Sequence, residues 1–84
     1  MEDNNYNAFV YALALAVYSP SEAYAQRCLA IAKDFSLPLD DIQFAKAKRE
    51  VDAANNNGEL IDLIMAKSQI VGEMLETYER SKNA

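Results

Sequence analysis

Residues 8–18 read AFVYALALAVY and carry no charge and no polar side-chain group beyond the hydroxyls of Tyr11 and Tyr18. At the period of an α-helix, Ala8, Ala12 and Ala16 fall on one stripe, and Tyr11, Leu15 and Tyr18 fall on another. The alanine stripe admits a closely approaching neighbour, and Phe9, Val10, Leu13 and Val17 supply bulk beside it. A helix apolar on two faces needs more cover than one neighbour gives. It is expected either at the centre of a bundle, packed on both sides, or at an interface, where tyrosine is favoured. The aromatics and valines of residues 9–18 would also suit a strand, but the alternation of Ala and Leu over residues 12–16 favours helix. The run is about half as long as a membrane helix requires. The segment before it has none of the Lys or Arg that opens a secretory signal. A core helix of a cytoplasmic protein, with no membrane contact, is the expectation.

The chain has 84 residues, which suits a single domain over 1–84. A chain of this size buries only roughly 60–65% of its unfolded surface. Its core is thin, and a partner or second copy would add buried area. An apolar fraction of 51% argues against disorder, and two Gly and two Pro suit helices with short connections. Net charge is −5, which disfavours nonspecific binding to nucleic-acid phosphates or anionic membranes. The single cysteine, Cys28, excludes an intrachain disulfide and reads as a small buried hydrophobe rather than a reactive thiol.

Punctuation divides the chain into four helical segments. The first spans about 5–18. Ser19-Pro20-Ser21-Glu22 reads as a capping box, with Ser19 as N-cap, Pro20 at the first helical position and Glu22 reaching back to the cap. The second segment runs to about 35, with Tyr24, Cys28, Ile31 and Phe35 on one face, and ends where Pro38 biases Leu37 away from helix. The third starts near 39 or 40 with Asp40 or Asp41 as cap. Its apolar members are Ile42, Phe44, Ala45, Ala47, Val51 and Ala54, the weakest amphipathic pattern of the four. It stops at Asn55-Asn56-Asn57-Gly58, where Gly58 can take the left-handed conformation. The fourth spans about 59–80. It is apolar nearly all round at Leu60, Ile61, Leu63, Ile64 and Met65, with Val71, Met74, Leu75 and Tyr78 continuing a narrower face. Asp62, Ala66, Gln69, Glu73, Glu76 and Arg80 form its solvent stripe. Residues 1–4 and 81–84 are expected to fray.

The residues offer little for catalysis. The chain has no histidine, which removes the commonest general base and every Ser-His or Cys-His arrangement. One cysteine cannot build a zinc site, and the isolated Gly58 and Gly72 make no phosphate loop. Asp40 and Asp41 read as helix-start residues rather than metal ligands. Lys46, Lys48 and Arg49 form the one basic cluster. Lys46 is four residues from Glu50 and Lys48 four from Asp52, so they can pair along the helix; the cluster reads as a solvated helix face rather than a phosphate contact, with a docking patch for an acidic partner as the functional version. No enzyme, cofactor or metal is anticipated.

The segment LALAVYSPSE over residues 13–22, followed by Ala23, Ala25, Ile31 and Ala32, resembles small helical proteins of unknown function from cyanobacteria and their phages. The resemblance covers the first half of the chain and implies a helical hairpin, with no activity or site residue.

The fold expected is all-α, a compact bundle of four short helices, or of three with an irregular third segment. The function expected is a noncatalytic protein–protein interaction module, a small regulator or accessory factor. Its contact residues are Tyr11, Leu15, Tyr18, Leu60, Ile61, Ile64 and Met65, and its partner is another protein or a second copy of the chain. Two alternatives stay open: a carrier with a Tyr- and Met-lined pocket for a small ligand, and an acidic mimic that blocks a nucleic-acid-binding protein.

Overall fold

A computed structural model describes residues 4–83; for residues 78, 79 and 81–83 it describes the backbone alone. The described chain is all-α, with four helices in the order α1 (Asn4–Tyr18), α2 (Glu22–Ser36), α3 (Asp41–Asn56) and α4 (Leu60–Asn83). No helix among the described residues is long and apolar enough to cross a membrane. Asn4 and residues 81–83 belong to α1 and α4; residues 1–3 and 84 lie outside the described residues, as does the side chain of Tyr78.

The apolar run becomes the hub of the bundle. α1 packs against each of the other three helices, α3 packs additionally on α4, and α2 rests almost entirely on α1. Seven residues of α1 are buried, including Ala8, Val10, Ala12 and Ala14. The small side chains let neighbours approach from several directions, and Phe9, Phe35, Val51 and Val71 fill the space between them. α1 and α3 run in opposite directions, because Tyr6 meets Glu50 while Phe9 stacks on Phe44, with ring centroids 5.2 Å apart. α1 and α4 run the same way: Asn7 meets Lys67, and Tyr11 and Leu15 lie opposite Gly72 and Leu75.

Local chemistry sets the boundaries, with one correction. The N-cap of α2 is Ser21, whose hydroxyl accepts from the Tyr24 amide, and Glu22 is the first helical residue. Ser19 does not cap. Its hydroxyl donates to the Ser21 carbonyl and accepts from the Ser21 amide, which closes the turn in front of the helix. The capping box lies instead at α3. Asp40 accepts from the Gln43 amide at 2.8 Å, and the Gln43 side chain accepts from the Asp40 amide. α3 ends in a Schellman motif. Gly58 takes φ +73°, the Glu59 amide donates to the Ala54 carbonyl and the Gly58 amide to that of Asn55. Pro38 stops α2, yet Leu37 keeps right-handed helical angles as its C-cap, so the helix reaches one residue beyond the expected end.

The third helix also departs from its expected apolar face. Ala47 and Val51 are buried, whereas Ile42 and Ala45 face solvent and Phe44 is partly exposed beside Phe9. The expected solvent stripe of α4, from Asp62 to Arg80, is exposed at every one of its six positions.

Candidate functional site

The seven residues expected at an interface do not form one surface. Tyr11 and Leu15 are half-buried and line a groove between α2 and α4, floored by α1. Ile61 and Met65 stand out from α4 with 51% and 57% of their surface exposed. They lie one turn apart on the face that continues through Ser68 to Gly72 and Glu76, the wall of the same groove. Tyr18 is 53% exposed at the end of α1 and does not line the groove. Leu60 and Ile64 turn inward. Leu60 is a core residue, and Ile64 packs against the core, so their apolar surface is used inside the molecule.

The groove has a volume of about 440 Å³. α2 supplies Tyr24, Arg27, Cys28 and Ile31, and α4 supplies Gly72, Leu75 and Glu76. It exists because α2 and α4 both pack on α1 but scarcely touch one another. Its floor is apolar, with Ala12 and Cys28 buried beneath it. Charge is confined to Arg27 on one wall and Glu76 on the other, and Glu76 is held by Arg80 one turn on at 3.6 Å. Gly72 leaves a gap in the α4 wall: a β-carbon placed there would meet no atom within 4 Å. Such a surface suits recognition of an apolar or aromatic segment by shape, with a few polar groups at the edge.

The sequence pattern puts Tyr24, Cys28 and Ile31 on one helical face and Glu76 on the solvent stripe of α4, and it gives Arg27 no role. Nothing local signals that these two flank a shared groove, because helix period gives a face and not the neighbour beside it.

A second polar arrangement lies in the core. Asn7 is fully buried, Lys67 is 8% exposed, and the Lys67 ammonium donates to Asn7 Oδ1 at 2.7 Å. The same ammonium lies 3.8 Å from Glu50 Oε1, while the Tyr6 hydroxyl donates to Glu50 Oε2 at 2.7 Å. This cluster joins α1, α3 and α4. It also corrects the expected pairing of Lys46 with Glu50. Glu50, a third exposed, turns to Tyr6 and Lys67, and the Lys46 ammonium sits 5.5 Å from the Tyr6 ring centroid. Lys48 makes no ion pair with Asp52 among the described residues and lies over the Phe44 ring. Every buried side-chain nitrogen and oxygen among the described residues has a hydrogen-bond partner, so the cluster is a satisfied structural clasp. Among the described residues, no three His, Cys, Asp or Glu side chains come together to hold a metal ion.

No family model, no curated protein and no solved structure matches the chain.

Proposed function

We propose that this chain is a noncatalytic protein–protein interaction module that receives a helical segment, of a partner protein or of a second copy, in the groove between α2 and α4. The observation that carries the reading is Gly72. A glycine inside a helix costs about 1 kcal/mol relative to alanine. The fold has no use for it: its φ is not left-handed, and no side chain occupies the space beside it. A bare backbone on a groove wall permits close approach by another helix. Tyr11 and Tyr24 add the residue type favoured at contact surfaces. Ile61 and Met65 extend apolar surface along the same face of α4, beyond the groove itself. The lone cysteine accords with a reducing compartment, and a cytoplasmic setting is part of the proposal.

The test uses Gly72→Leu, which fills the wall without touching the core. Sedimentation velocity across micromolar concentrations reads self-association, and a parallel capture from host extract reads other partners. The expected result is a species or partner retained by the wild-type chain and lost with Gly72→Leu, but kept by Ile42→Asp on the far end of α3. Equal retention by wild type and Gly72→Leu overturns the proposal.

The groove volume also lies in the range of small-molecule sites, and Tyr11, Tyr24 and Arg27 could orient a ligand. The protein partner is preferred because a small ligand in the groove leaves Ile61 and Met65 uncovered.

A further inference from the structure

A trough of about 290 Å³ lies on the other side of α2, between it and α3. Its floor is Phe9 and Leu13 of α1, and its lips carry Leu29 and Phe44, which are 48% and 40% exposed. Lys33 on α2 and Lys48 on α3 stand on opposite sides, and no acidic side chain lines it. In a chain of net charge −5 this is a local reversal of sign. Neither ammonium makes an ion pair among the described residues, whereas the charge of Lys67 is met by Glu50. The Lys48 ammonium lies 5.7 Å from the Phe44 ring centroid, at the mouth of the trough.

We propose that this trough binds an acidic amphipathic helix of a partner protein, with its apolar face on Phe9, Leu13, Leu29 and Phe44 and its flanking carboxylates on Lys33 and Lys48. The charge pattern selects the partner: apolar in the middle, negative on both flanks. The open form of the trough favours a helix over an acyl chain, since small-ligand sites enclose roughly 70–90% of their ligand. Net negative charge does not forbid the complex. At 0.1 M salt the screening length is about 10 Å, so a docked carboxylate senses the two lysines beside it more than distant acids. This face is separate from the groove between α2 and α4, and a chain with both would bridge two partners.

The probe is a fluorescein-labelled helical peptide of about 18 residues, with leucine along one face and glutamate on both flanks. Two control peptides carry glutamine or lysine in place of glutamate. Fluorescence anisotropy is expected to show binding of the glutamate peptide that weakens as salt rises, with weaker binding of the glutamine peptide. K33E/K48E is expected to lose roughly tenfold or more in affinity for the glutamate peptide and to gain affinity for the lysine peptide. Both lysines are exposed, so the variant should keep the wild-type helical circular-dichroism spectrum at the assay temperature, with a melt lowered only by the loss of Lys33 from the last turn of α2 and of Lys48 from the Phe44 ring. Gly72→Leu should leave peptide binding unchanged. The proposal is overturned if no binding occurs, if glutamate and glutamine peptides bind alike, or if K33E/K48E binds as wild type does. Loss of peptide binding in Gly72→Leu also overturns it, by moving the peptide to the other groove while leaving that groove's role intact.

Discussion

Lys67 donates a 2.7 Å hydrogen bond to Asn7 across 60 residues of sequence, and this bond ties the start of the central helix to the first third of the last one. Glu50 adds a third helix to the same ammonium. The pair sits where α1, α3 and α4 meet, so it specifies how the helices are placed along one another as well as how firmly they hold.

Removing Lys67 should therefore destabilise the fold more than its replacement by an apolar chain of similar length. Lys67→Ala withdraws the donor to Asn7 and the charge beside Glu50, and leaves a cavity. The expected cost is about 3–5 kcal/mol, and Lys67→Met should cost less because it refills the space. Urea denaturation followed by circular dichroism checks this. Equal stability of Lys67→Ala and wild type would show that the clasp contributes nothing.

The two glycines should respond to alanine with opposite sign. Gly58 holds φ +73° at the end of α3, so Gly58→Ala forces a β-carbon into the left-handed region at a cost of about 1 kcal/mol. Gly72 lies in regular helix with open space beside it, so Gly72→Ala should raise stability by about 0.5–1 kcal/mol. Thermal melts of both variants decide it. A destabilised Gly72→Ala would mean that the monomer itself needs that glycine.

The helix starts should rank by their hydrogen bonds. Asp40 closes a reciprocal box at 2.8 Å, while Ser21 reaches the Tyr24 amide at 3.4 Å. Asp40→Ala is expected to cost about 1–2 kcal/mol and Ser21→Ala about 0.5–1. Ser19→Ala, which removes only a turn contact, should cost less than either. Denaturant midpoints of the three variants give the order, and a Ser19→Ala cost above that of Ser21→Ala would restore Ser19 as the cap.

The four helices and their breaks were legible because their causes are local. The all-round apolar run of residues 8–18 demanded cover on several sides, and α1 is indeed the helix touched by all the others. Asn57-Gly58 and Asp40 ended and began helices through groups within a few residues of each other. The capping serine was misplaced by two residues because Ser19 and Ser21 offer the same hydroxyl, and backbone geometry chooses between them.

Amphipathic period says which side of a helix is apolar; it carries no information about which neighbour meets that side, or how far along. Hence Leu60 and Met65, both apolar on the same turns of α4, end up inside and outside. Hence also Glu50 passes over the nearby Lys46 for Lys67, whose ammonium waits in the protected junction of three helices. Both grooves beside α2 arise the same way, from a helix that packs on α1 and leaves its flanks uncovered. Short-range hydrogen bonds and side-chain period determined the elements. Their assembly decided which apolar residues were consumed in the core and which stayed available to a partner, because burial is a property of the space between helices.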